Sequence, residues 1–159
     1  MKTNACRLLD RLNVPYRTQE YAVDPDDLSA TTVATKIGMP IEQVYKTLLC
    51  RLASGSHVFA VIAGDAELDL KKLAAAAREK KAELAPLKEL EPLTGYIRGG
   101  CSAMAAKRDF PAFADELMEL HSTISVSAGI RGMQILLAPA DYLRATNATV
   151  ADLTKAVTA

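Results

Sequence analysis

Tryptophan is absent from this chain of 159 residues, and only five tyrosines and three phenylalanines stand in for it. The core must therefore rest on Leu, Val, Ile, Ala and Met, which the half-apolar composition supplies. A surplus of charge of one sign is also missing: 19 Lys and Arg balance 19 Asp and Glu. That neutrality excludes a broad electrostatic grip on nucleic acid, which depends on many cationic contacts releasing counterions. An RNA partner has to be met by a local patch or at a chain end, and no DNA partner is expected.

Long hydrophobic runs are lacking as well. The longest, Val58 to Ala63, falls far short of the roughly 20 residues a spanning helix needs. The opening MKTNACRLLDRLN carries charges throughout and does not read as a secretory signal. Cysteine is sparse and scattered: Cys6, Cys50 and Cys101 form no CxxC pair, so they read as free thiols in a reducing compartment. With no repeat, linker or low-complexity tract, the expectation is one domain over residues 1–159, cytoplasmic, with no membrane partner.

The usual catalytic constellations are missing too. His57 and His121 are the only histidines, and neither belongs to an HxxxH or HExxH spacing that would bring two imidazoles to a metal. No GxSxG elbow and no Walker loop occur. Neither a metal nor a cofactor is expected. A hydrolase built on this chain works by positioning, with backbone donors and the substrate's own groups.

What is present is a series of short elements. Ala5, Leu8, Leu9 and Leu12 fall on one helical face over Thr3–Leu12, and Tyr16–Val23 reads as a short strand before the turn Asp24-Pro25-Asp26-Asp27. Ala30–Ile37 reads as a helix capped by Ser29 and stopped by Gly38, followed by a helical turn over Ile41–Val44. Tyr45–Leu52 and His57–Ala63 form a hairpin about Ser54-Gly55-Ser56, the second strand apolar on both faces and hence central. Asp69–Lys80 reads as a helix. Ala82–Ala85 and Gly95–Arg98 read as short strands around a loop holding Pro86 and Pro92.

Phe110–Leu120 fits either a helix or a bent strand. Thr123–Ala128 alternates Ile124, Val126 and Ala128 against Thr123, Ser125 and Ser127, and turns through Gly129–Gly132 into a strand over Met133–Leu137. Two helices, Ala140–Ala145 and Val150–Val157, are expected at the end. The class is α/β or α+β, with a mixed, mostly antiparallel, barrel-like sheet flanked by helices.

Three places depart from what a core alone requires. Lys46 sits in an apolar strand, where its ammonium either snorkels to water or enters a cleft beside a ribose, phosphate or carbonyl oxygen. The paired Gly99-Gly100 allows close backbone approach to an anion, and equally suits a tight turn. In Ser127-Ala128-Gly129-Ile130-Arg131-Gly132 a hairpin accounts for the glycines, while Arg131 at its tip either meets RNA phosphate or water. Lys107-Arg108 is a further cationic cluster with the same two readings. Ser102 has no visible base and reads as a turn serine.

In this order the segments Tyr45-Lys46-Thr47-Leu48-Leu49, Gly64-Asp65, Glu67-Leu68-Asp69-Leu70-Lys71-Lys72-Leu73, Thr94-Gly95-Tyr96, Gly99-Gly100-x-Ser102 and Ser127-Ala128-Gly129-x-Arg131-Gly132 resemble the YbaK family over nearly the whole chain. The resemblance implies a mixed barrel-like fold that also occurs as an editing insertion in bacterial prolyl-tRNA synthetases. It implies deacylation of cysteinyl-tRNA(Pro), and of cysteinyl-tRNA(Cys), in trans, with aminoacyl-tRNA and prolyl-tRNA synthetase as partners. It implies a mechanism in which the substrate's own sulfur attacks its ester.

Carried over by position, Lys46 matches the family's functional lysine, Tyr21 a pocket tyrosine, Gly99 a glycine bordering the amino acid, and Ser127 a pocket serine. Gly100 and Gly129 belong to the same substrate-binding segments. Gln134 stands where some relatives carry a carboxylate, and Ala103 replaces the proline of a GGxSP motif. Both departures bear on amino-acid preference, so release of alanine or serine, or a binding module that holds tRNA ends without turnover, remain alternatives.

Overall fold

The computed structural model describes residues 2–156. Five helices run in chain order: α1 (Asn4–Arg11), α2 (Ala30–Ile37), α3 (Leu70–Ala76), α4 (Leu87–Thr94) and α5 (Pro139–Thr146). Eight strands alternate with them: β1 (Arg17–Glu20), β2 (Tyr45–Leu52), β3 (His57–Ala63), β4 (Ala82–Leu84), β5 (Ala112–Asp115), β6 (Ile124–Ser127), β7 (Met133–Leu137) and β8 (Thr149–Ala151). Short 3-10 turns cover Ile41–Gln43 and Glu116–Leu120.

Local chemistry sets several of these boundaries. Thr3 Oγ1 accepts from the Cys6 N–H and opens α1, while Ser29 Oγ accepts from the Thr32 N–H and opens α2. Gly38 closes α2 in the left-handed region at φ +71°, where L side chains are strained. The Asp69 carboxylate accepts from the N–H groups of Lys71 and Lys72 at the start of α3.

The strands form two sheets. One is antiparallel, in the order β1-β7-β6, and the other is mixed, in the order β4-β2-β3-β5-β8. Antiparallel ladders join β2 to β3 and to β4, whereas β5 lies parallel to β3 and β8 parallel to β5. A parallel bridge from Val44 to Ser125 brings β6 beside the first residues of β2. The α/β class and the mostly antiparallel, mixed pairing expected from the sequence are present, but the sheet stays open rather than closing into a barrel.

β3 lies in the middle of its sheet, as its two-sided apolarity requires. One face sends Val58, Ala60 and Ile62 toward Leu73 of α3. The other sends Val61 and Ala63 into a larger cluster with Leu9, Ile124, Ile135 and Tyr142. Each fully buried Val, Leu or Ile among them contributes about 1.5–3 kcal/mol of transfer free energy.

Four sequence expectations need correction. Pro86 to Thr94 is not a loop between strands: Leu87, Leu90 and Leu93 share a helical face, and α4 tolerates Pro92 at the loss of one backbone donor. Gly95–Arg98 forms no strand, because Gly95 terminates α4 at φ +79° and the chain turns into the glycine loop. No helix covers the described part of Val150–Val157. Residues Thr149–Ala151 add to β5, and Thr154 bridges Leu68, a long-range pairing that suits β-branched side chains. Val157 lies outside the described residues. The helix expected to reach Lys80 stops at Ala76, because Arg78 turns left-handed at φ +59°. Phe110–Leu120 divides between β5 and a 3-10 turn.

Candidate active site

The edge of β2 that faces away from β3 is only partly paired. β6 lies beside its first residues, and β4 takes up Cys50 to Leu52. Backbone direction alternates along a strand. The Val44 carbonyl accepts from Gly64 N–H on the β3 side, and the Leu49 carbonyl accepts from Ala85 N–H on the other. Thr47 therefore turns its N–H and C=O toward the gap between β6 and β4. A cavity of about 620 Å³ opens there, a size in the range of small-ligand sites.

The lining comes from five directions. β2 contributes Tyr45 to Leu49, and the start of α2 contributes Ser29, Ala30 and Thr31 with Leu28 before it. Gln134 of β7 and Ser127 of β6 close one end, the loop of Arg98, Gly99 and Cys101 covers a side, and Leu84 to Leu87 with Leu90 form the apolar end. Among the described residues, no aspartate or glutamate lines the cavity, and its cations are Lys46 and Arg98. Among the described residues, no group of three or more His, Cys, Asp and Glu side chains is placed to hold a metal ion.

Lys46 is the half-buried cation of the cavity. Its Nζ donates to the Gly64 carbonyl at 3.2 Å. Burial lowers its pKa below the ordinary lysine value, opposed by the charges of Asp65 and Glu67. Gly64 lets α2 come close. A Cβ there would meet Ala30 Cβ and Ile41 Cδ1 at 2.7 Å and the Val44 carbonyl at 3.0 Å. Its motif was visible in the sequence, but its structural necessity was not.

The glycine loop and the β6–β7 turn pack as one unit. Gly99 borders the cavity at φ +88°, and a Cβ on Gly100 would come within 3.1–3.2 Å of the Ile130–Arg131 backbone. Arg131 Nε donates to the Arg98 carbonyl at 2.8 Å, tying the two loops together. Ser127 Oγ accepts from the Gly129 N–H at 3.1 Å, which leaves its own O–H free to donate.

Of the residues singled out from sequence, Lys46, Gly99, Ser127 and Gln134 therefore share one cavity. Tyr21 packs behind the wall on Val33 and Val44, and Gly100 and Gly129 shape the loops without lining it. Lys107 is exposed on another loop, its N–H bonded to the Thr94 carbonyl. Ser102 is buried and caps the Met104 N–H, a turn serine. His57 pairs with Glu89 at 3.0 Å, and neither it nor His121 lines the cavity. Burial holds the Cys101 thiol protonated, its pKa pushed up to about 12.

Thr47's open backbone, the α2 start and the leucine-lined end were not visible as parts of a site in the sequence. The arrangement offers donors and close backbone to an acyl ester, without an activated nucleophile.

The chain matches known proteins along most of its length. It is 48% identical to EbsC of Enterococcus faecalis, named as a candidate Cys-tRNA(Pro)/Cys-tRNA(Cys) deacylase, over 96% of this chain and 93% of that protein. It is 32% identical to the multifunctional Ser/Thr-tRNA deacylase ProXp-y of Escherichia coli K12, over 67% of this chain and 66% of that one. A crystal structure described as a candidate trans-editing enzyme for prolyl-tRNA synthetase shares the fold at a TM-score of 0.81 and 22% identity, covering 98% of this chain and 99% of that one. No helix among the described residues is long and apolar enough to cross a membrane. The profile of the aminoacyl-tRNA editing domain matches residues 24–145, and the chain belongs to that family.

Proposed function

We propose that this protein is an aminoacyl-tRNA deacylase that releases cysteine from Cys-tRNA(Pro), and from Cys-tRNA(Cys), by cleaving the ester to the terminal ribose. The observation that carries the reading is the gap along β2, where Lys46, Ser127, Gln134 and the Thr47 backbone converge with no base or activated nucleophile among the lining side chains. The EbsC relative supports cysteine as the amino acid. The volume of the cavity has room for an aminoacyl group joined to the terminal nucleoside.

In such a site the substrate supplies its own nucleophile. The sulfur adds to the ester carbonyl carbon, a C–S bond forms, and the C–O bond to the ribose breaks. The thiol proton passes through solvent to the departing oxygen. The products are tRNA with a free terminal hydroxyl and the four-membered cysteine thiolactone, which water then opens. The protein contributes orientation and donors for the developing oxyanion. Lys46 holds the ester or the terminal nucleotide, Gly99 borders the amino acid, and Ser127 donates to the substrate. Tyr21, Gly100 and Gly129 keep the walls in place, and Arg131 and Lys107 meet the tRNA at the surface.

The protein acts in trans in the cytoplasm, beside the prolyl-tRNA synthetase that makes the error. Formal neutrality supports this, since few counterions are released when the chain meets tRNA alone. Tight binding by the isolated protein that is insensitive to salt contradicts the need for a partner.

Blocking the sulfur tests the reading directly. Cys-tRNA(Pro) should be deacylated and its S-methyl-cysteinyl counterpart should persist. Equal loss of both excludes sulfur attack, and loss of Ser- or Thr-tRNA alone moves the chain to the specificity named for the E. coli relative.

A further inference from the structure

Ser125 is sealed from solvent, and its Oγ donates to Gln134 Oε1 at 2.7 Å. The Gln134 Nε2 makes no hydrogen bond among the described residues, yet it is not sealed off with the buried atoms that lack partners. It opens on the cavity that Gln134 lines. The opposite amide orientation would aim an N–H at Ser125 Oγ and strip the serine O–H of its one acceptor among the described residues. A buried hydroxyl without an acceptor is costly, so Ser125 selects the orientation.

From this geometry we infer that Ser125 is a positioning residue that makes Gln134 a one-way donor, whose amide N–H holds the substrate's ester carbonyl oxygen as negative charge develops on it. The inference rests on the deacylase reading above and deepens it. A carboxylate at this position would accept from the substrate's α-ammonium, whereas the Gln134 amide, with its oxygen occupied, offers only N–H. The side chains lining the cavity then include donors on Lys46, Arg98, Ser127 and Gln134, and no carboxylate among the described residues. The α-ammonium is left to carbonyl oxygens, of which that of Thr47 is turned toward the gap. An oxygen carrying growing negative charge is the group such a set stabilises most.

The isosteric change Gln134→Glu separates this role from ammonium recognition. The new carboxylate still accepts from Ser125, but presents a second acceptor where the donor was. On Cys-tRNA(Pro) near neutral pH, kcat should fall about a hundredfold with KM little changed, as for the loss of one oxyanion donor. The ratio of variant to wild-type activity should rise as pH falls, because a protonated carboxyl regains a donor. A variant as active as wild type, with a ratio flat across pH, overturns the donor role.

Ser125→Ala frees the amide to rotate and should lower kcat about tenfold without raising KM. Ser125→Thr, which keeps the hydroxyl, should restore most of the loss. Full kcat in Ser125→Ala overturns the positioning role, and circular dichroism establishes that each variant is folded. An inactive wild type overturns the deacylase reading and this inference with it, whereas an active wild type matched by Gln134→Glu overturns the inference alone.

Discussion

Lys46 and Gly64 hold each other in the wall of the cavity: the ammonium donates to the glycine carbonyl at 3.2 Å. The same glycine lets α2 close against β2, since any Cβ there would collide with Ala30 and Ile41. One residue thus positions both the cation and the opposite wall.

Gly64→Ala should destabilise the protein by about 1–3 kcal/mol, the usual cost of overpacking a close contact. Urea unfolding measures the loss. Since the collision is with α2, hydrogen exchange should quicken first over Ala30–Ile37. An unchanged midpoint contradicts the close packing.

Lys46→Met should abolish most of the deacylation without lowering the thermal midpoint. Burial depresses the pKa of the lysine in the folded state, so the unfolded chain binds the proton more tightly. The penalty is therefore present in full at neutral pH and is relieved as pH rises through the folded value toward 10.5. Thermal melts from pH 7 to 10 should show wild type gaining on Lys46→Met as pH rises, and the reverse trend contradicts the burial.

Asp115 is 1% exposed and accepts from the Leu117 N–H at 3.2 Å and the Leu153 N–H at 2.9 Å. Asp115→Ala leaves two donors without their acceptor and should cost about 2–4 kcal/mol. Exchange should accelerate at Leu153 and along β8, which the carboxylate fixes to the sheet. A loss confined to the 3-10 turn after β5 would separate that tail from Asp115.

Asp27 anchors the start of α2 by accepting from the Thr32 and Ser29 hydroxyls and from the Ser29 N–H, which hold its pKa below 3.8. Its contribution is present above the unfolded value and is lost as pH falls through the depressed one. Asp27→Asn should remove that dependence, read by NMR as a Ser29 amide shift that no longer titrates in the acid range. An unaltered titration contradicts the anchor.

Elements with their determinants in adjacent residues were legible in the sequence: the Ser29 cap and Gly38 stop of α2, the β2–β3 hairpin and the apolar β3. Elements decided at long range were not. β8 exists because β5 offers an edge, and α4 because its leucines meet Leu49 and Phe59. Ser125 alternates with apolar residues in the sequence, yet the Val44 bridge covers it with β2. Lys46, Gly99, Ser127 and Gln134 came from motif order, whereas Thr47's open backbone required knowing that β4 and β6 stop short of each other on one strand edge.

The most direct test is a time course of Cys-tRNA(Pro) deacylation by purified wild-type protein, with Ala-tRNA(Pro) and Lys46→Ala alongside. Rapid release of cysteine, alanine left in place and most of the rate lost in Lys46→Ala is the predicted result. Release of alanine instead, or turnover undiminished in Lys46→Ala, would contradict thiol-assisted editing in this cavity.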